Sequence, residues 1–184
     1  GSGTPTGSVT FKDGATTITG CSAITLDGTA QAACITAALG VGDHTINVEY
    51  GGSEVLNAGS GSLQDGYTVN KADTEVIVSA DPVSSVFGQS VTFTATVTAV
   101  APGAGTPTAT VTFKDGTTVI TGCDAVTLDA SAQAVCTTTA LNAGSHDISA
   151  GYAGNSAFNG NSGSIKGGYT VEKAGTTIGA TVAP

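Results

Sequence analysis

One long stretch of this chain occurs twice. TPTGSVTFKDG at Thr4–Gly14 returns as TPTATVTFKDG at Thr106–Gly116, an offset of 102 residues. The offset holds without a gap from Gly1/Gly103 to Pro82/Pro184, and 44 of those 82 pairs are identical. Cys21 answers Cys123, Cys34 answers Cys136, His44 answers His146, Tyr50 answers Tyr152 and Tyr67 answers Tyr169. A fixed period means serial copies of one folding unit. A period of this length is a whole domain, not the short repeat of a solenoid. Residues 1–72 match 103–174, so 73–102 have no counterpart before residue 1. The expected organisation is a partial domain at 1–72 lacking its first strands and a complete domain at 73–174. Residues 175–184 then form the opening strand of a next repeat.

Within the unit the hydrophobic period is two. In Ser90–Val100 (SVTFTATVTAV), Val91, Phe93, Ala95 and Val97 alternate with Thr92, Thr94, Thr96 and Thr98, giving one apolar and one hydroxyl face. Val9–Phe11 and Val111–Phe113 alternate likewise and run into Lys-Asp-Gly, a hairpin-type turn. Further short strands are expected at Asp73–Ser79, Ala125–Leu128, Gln133–Thr139, His146–Tyr152 and Tyr169–Val171. The first ends at Asp81-Pro82, because proline lacks the donor a ladder needs. Ala, Val, Ile, Thr and Gly carry the composition, and the branched Cβ atoms of Val, Ile and Thr suit a pleated surface. Seven or eight short strands with frequent turns and no helical period predict an all-β fold. The expected architecture is tandem antiparallel two-sheet sandwiches.

At PTGSVTFKDG, YTVNKADTEV and VFGQSVTFTATVTA the chain resembles the bacterial Ig-like repeat domains that occur in tandem in large surface and secreted proteins. The resemblance covers both copies. It implies immunoglobulin-like sandwiches, boundaries after Ala72 and Ala174, and an extracellular load-bearing or adhesive role. It implies neither a particular ligand nor an enzyme activity.

Charge narrows the partners. Five Lys plus Arg against 14 Asp plus Glu leave a formal net charge of −9. Such a surface repels phosphate, which argues against nucleic acid and anionic membrane. No run of eighteen apolar residues occurs, and neither an initiator Met nor a secretory leader is present. A mature or excised piece is the expectation.

The cysteines form two equivalent pairs, Cys21/Cys34 and Cys123/Cys136. If Asp27-Gly28 is a two-residue turn, the register that opposes Leu26 to Thr29 also opposes Cys21 to Cys34. The pair then lies on a non-hydrogen-bonded site, where Cα atoms approach to about 4.5 Å. Each pair is expected to form a disulfide inside one local hairpin, unlike the inter-sheet bridge of antibody domains. Such a short loop gains roughly 3 kcal/mol from the bridge in the chain-entropy model. Reduced pairs and metal ligation are the alternatives, and no C-x-x-C spacing favours metal. The register also sets the cysteines on the face opposite Ile24 and Leu26, a tension left open here.

His44 and His146 follow Leu-x-x-Gly-x at a strand-to-strand corner, where a polar ring can bond the returning backbone. Ser145-His146-Asp147 cannot be a catalytic triad, since adjacent strand residues point to opposite faces. Asp13, Asp27, Asp43, Asp65, Asp115 and Asp129 are scattered at turns, with no D-x-D-x-D-G calcium loop. Lys12 and Lys114 read as solvated charge and not as isopeptide donors. Asn155–Gly168 reads as a polar loop anchored by Phe158.

No convergent nucleophile–base or metal set occurs, so no enzyme activity, cofactor or metal is expected. The expected function is a structural or adhesive extracellular repeat at the cell surface, the stalk of an adhesin or the body of a fibre. Its partners are neighbouring Ig-like repeats or copies of itself, by strand complementation or end to end, and surface glycans or proteins. The joint Lys71-Ala72-Asp73 is too short for free swivelling. The alternative, a glycan-binding accessory module of a secreted enzyme, calls for exposed aromatics on one face. Four Tyr and five Phe, mostly at core parity, leave few.

Overall fold

A computed structural model describes residues 3–182 of the chain. Two compact units divide it, one ending at Asn70 and the other beginning at Lys71. The second unit starts ahead of Ala72 because Ala72 is tied into it. Ala72 N–H donates to Ala157 O (2.9 Å), Asn159 N–H donates to Ala72 O (2.8 Å), and Lys71 Nζ donates to Asn155 O.

The first unit holds β1 (Ser8–Asp13), β2 (Thr16–Thr17), β3 (Ile24–Thr25), β4 (Gly42–His44), β5 (Ile46–Tyr50), β6 (Gly59–Ser62) and β7 (Tyr67–Val69). Its main sheet runs β2-β1-β5-β6, with β3 also on β1, and β4 pairs with β7. The β1–β5 register opposes Phe11 to Val48 and Val9 to Tyr50. Among the described residues of this unit, Val9, Ile18 and Cys21 are the buried apolar side chains.

The second unit repeats this set and adds to it. Its strands are β8 (Thr74–Asp81), β9 (Ser85–Val86), β10 (Val91–Ala99), β11 (Thr110–Asp115), β12 (Thr118–Val119), β13 (Val126–Thr127), β14 (Gln133–Thr138), β15 (Gly144–His146), β16 (Ile148–Tyr152), β17 (Asn161–Ser164) and β18 (Tyr169–Glu172). One sheet runs β14-β10-β8, a second runs β12-β11-β16-β17 with β13 on β11, and a third runs β15-β18-β9, whose β9–β18 pair is parallel where antiparallel pairing throughout was expected. The core fills the space between them. Val91, Phe93, Ala95 and Val97 meet Val111, Phe113, Ile148, Ala150 and Tyr152 as one buried cluster. Phe93 meets the Tyr169 ring edge to face at 5.2 Å between centroids. The alternation in β10 is thus realised as written, valine and phenylalanine inward and threonine outward. Each fully buried Val, Ile or Phe contributes about 1.5–3 kcal/mol, so this cluster is what holds the sheets together.

Residues 155–168 differ from the expected loop. Phe158 is buried, but Asn161–Ser164 is a strand antiparallel to β16, with Tyr152 opposite Asn161 and Ala150 opposite Gly163. The Asn-Ser-Gly-Ser run lacks apolar alternation because this strand lies close against the β8 backbone at Val76. A Cβ on Gly163 would collide with Val76 O. Asn161 Nδ2 donates to Thr74 O, and Thr74 Oγ1 donates to Asn159 O (2.8 Å), which sews β8 to the neighbouring sheet. Polar composition marked a loop; backbone proximity makes it a strand.

Residues 175–182, the described part of the expected opening strand, take no strand conformation. Ile178 and Val182 are exposed, and Ala183 and Pro184 lie outside the described residues.

Candidate functional site

Two local devices recur in both units: a cysteine bridge and a histidine corner. Cys21 and Cys34 have Cα atoms 5.6 Å apart, Cys123 and Cys136 5.5 Å apart, and each pair is closed into a disulfide. The route differs from the expected hairpin. Asp27 Oδ1 accepts from Thr29 N (2.8 Å), Thr29 Oγ1 (2.7 Å) and Gln31 N (2.9 Å), while Asp27 N donates to Gln31 O. The turn is therefore an aspartate-centred loop that opposes Asp27 to Gln31. It is not a two-residue Asp27-Gly28 turn, and Ala30 carries the positive φ of 61°. These bonds hold the Asp27 carboxyl below its ordinary value, the Gln31 amide contributing most. Asp129 does the same for Ser131 and Gln133, with φ 55° at Ala132, so Ala130 is relieved of the strained position.

This longer turn lets its two arms separate. β13 stays on β11, and Phe113 N donates to Cys123 O (3.0 Å). β14 crosses to β10, where Cys136 stands opposite Phe93. The Cys123–Cys136 bridge therefore joins the two sheets. The expectation of a bridge confined to one hairpin is corrected, and the open tension over cysteine face disappears with the two-residue turn that caused it. In the first unit Cys21 O accepts from Phe11 N (2.9 Å), but Gln31–Thr36 forms no strand, so the bridge ties a bare segment to the sheet.

His44 Nδ1 lies 2.7 Å from Asp13 Oδ2 and Nε2 lies 2.8 Å from Gly40 O. His146 repeats this with Asp115 Oδ2 at 2.6 Å and Asn142 O at 2.8 Å. Carboxylate and carbonyl oxygens only accept, so both ring nitrogens must donate, which the imidazolium alone can do. The Asp13 hydrogen bond, then the Gly40 carbonyl, raise the His44 pKa. Burial opposes protonation of His146, but Asp115 and the Asn142 carbonyl outweigh it and raise the pKa. The other Asp oxygen accepts from Thr45 N or Asp147 N, fastening the corner to the next strand. The sequence showed the histidines and a backbone bond for them, but gave Asp13 and Asp115 only as scattered turn acids and not as the histidines' partners. Both aspartates recur at the 102-residue offset, and that was the available clue. Tyr50 and Tyr152 were missed as well; their hydroxyls donate to Thr6 O and Thr108 O, closing each unit across 44 residues.

Of the remaining acidic positions, Asp43 accepts from Thr68 Oγ1 and Asp65 holds a positive φ at a turn. Among the described residues no group of three or more His, Cys, Asp or Glu is placed to hold a metal ion. Lys12 pairs with Glu49 at 2.7 Å. The outward face of the β12-β11-β16-β17 sheet forms an open depression of about 840 Å³ over Thr112, Lys114, Ser149, Gly151 and Ser162. An equivalent one lies over Thr10, Glu49 and Ser60 in the first unit. The one ring in either depression is that tyrosine, Tyr50 or Tyr152, whose hydroxyl is already spent on backbone. Neither floor presents the flat aromatic platform that stacks on a sugar.

Facing antiparallel sheets, a bridge between them and a tied corner define an immunoglobulin-like sandwich module. The model of the bacterial Ig-like domain (group 3) matches residues 78–182, more than half of the chain, and the chain belongs to this family. Nothing among the curated proteins or the solved structures matches it. Such domains are structural or adhesive modules in kind and are generally non-catalytic. The family and the two disulfides fit an extracellular or secreted protein.

Proposed function

We propose that the chain is a serially repeated structural element at the outside of the cell, forming the stalk of a surface adhesin or the body of an extracellular fibre. The observation that carries this reading is the gapless 102-residue repeat, in which bridge, corner and closing tyrosine all recur. A chain that copies its fastenings from one unit to the next is repeating mechanical parts. The net charge of −9 keeps neighbouring copies soluble and repels anionic surfaces. Antibodies against the folded chain should label intact cells of the producing organism, and unreduced peptides from surface material should carry both bridges. Labelling only after lysis, together with free thiols, would overturn the proposal.

A further inference from the structure

The two units share a sequence but not a cover. In the second unit, β8 and β10 lie over Phe113, Ile148 and Ala150, all fully buried. In the first, the matching Phe11, Ile46 and Val48 are only partly buried. Phe11, Ile18, Cys34, Ile35, Leu39, Ile46, Leu63 and Tyr67 line an open apolar trough of about 430 Å³. Tyr67 is 52% exposed where Tyr169 is 1% exposed.

Two details show what the trough is shaped for. Gly61 repeats Gly163, yet nothing lies within 4 Å of a Cβ built on it, whereas at Gly163 the notch is filled by Val76 O. Residues 31–36 keep the in–out alternation of β14, with Ala32, Cys34 and Thr36 turned inward, but have no ladder partner where β14 has β10. A backbone notch and an unpaired segment with strand alternation are both features that receive another strand.

We infer that this face of the first unit is a docking surface for a strand pair of the same repeat type, seated as β8 and β10 are seated on the second unit. The occupant is uncharged on its inner face, like Val76, Val78, Val91, Phe93, Ala95 and Val97. Its β10-like strand pairs with residues 31–36, setting the Phe93 equivalent opposite Cys34 and the Thr94 equivalent opposite Ala33. Its β8-like strand enters the Gly61 notch. The occupant is not the pair already described, since β8 and β10 are held in the core of the second unit, with Phe93 and Val97 buried. The inference rests on the tandem-repeat reading and adds the partner and its register.

The test adds a second copy of residues 73–102 ahead of residue 1 of the full chain. Amide exchange at residues 31–36 and 46–50 should slow by about a hundredfold or more as the face closes. The effect should vanish when the added copy carries Phe93→Asp. With Ala33→Cys in the chain and Thr94→Cys in the added copy, a disulfide should form, while Ile35→Cys in place of Ala33→Cys should trap far less. The second unit, unaltered, reports that the protein is folded. Unchanged exchange would overturn the inference, as would a preference for the Ile35→Cys register. An unextended chain that dimerises with these residues already protected would also overturn it, by giving the face to a second copy. Surface labelling of cells and intact bridges would survive any of these failures, so the function proposed above stands or falls separately.

Discussion

Phe11 and Phe113 occupy the same place in the same motif, VTFKDG, and meet different fates. Phe113 is fully buried; Phe11 is partly exposed. The ladders around them are alike, with Phe11 opposite Val48 and Phe113 opposite Ala150. Val9, Ile18 and Cys21 are buried, as their counterparts Val111, Ile120 and Cys123 are. Local pairing and the bridged end therefore form without the covering sheet, whereas burial of the remaining face depends on β8, β10 and β14. A strand's alternation prepares a face for burial, and a second layer has to complete it.

The sharpest way to break this comparison is to empty the same position twice. Phe113→Ala should cost about 3–5 kcal/mol, since it leaves a cavity in a closed core. Phe11→Ala should cost less than half of that, as its ring already meets solvent. Denaturant titration following each unit's transition would show it, and equal losses would refute the contrast.

Removing the bridges comes next, at about 3 kcal/mol for a loop of this size. The consequences should differ in place. Cys34→Ala should release residues 31–36 to fast amide exchange, because the bridge is their main tie to the sheet. Cys136→Ala should leave β14 protected on β10. Protection that survives equally at both positions would show that residues 31–36 are held by something else.

Glycine substitutions sharpen the comparison further. Gly163→Ala drives a methyl into Val76 O and should cost about 1–3 kcal/mol by overpacking. Gly61→Ala meets nothing within 4 Å and should be close to neutral. Thermal melts of the two variants suffice.

The smallest effect is the pH dependence of the corners. Both histidines have folded pKa values raised above the ordinary 6.5. Their contribution is therefore complete below the unfolded value and fades as pH rises through the folded one. Stability should decline from about pH 6 toward pH 8, and His146→Gln should flatten its unit's share of the slope by less than about 1 kcal/mol. A melting profile that rises across that range would reverse the assignment of donors.

Sequence by itself determined the repeat, the all-β class, the inward face of β10 and the pairing partners of the cysteines. Each of these is written in spacing, either a period of two along a strand or a period of 102 along the chain. Tertiary structure decided that the Cys123 and Cys136 arms join different sheets, because the Asp129 carboxylate, like that of Asp27, lengthens the turn by bonds that a two-residue template omits. It also made a strand of Asn161–Ser164, whose polar side chains carry no periodic mark and whose pairing follows from β8 backbone passing over Gly163. The burial of Phe11 and Phe113 lies wholly on that level: identical residues in identical ladders differ because burial belongs to the layer opposite, and only one of the two faces has it.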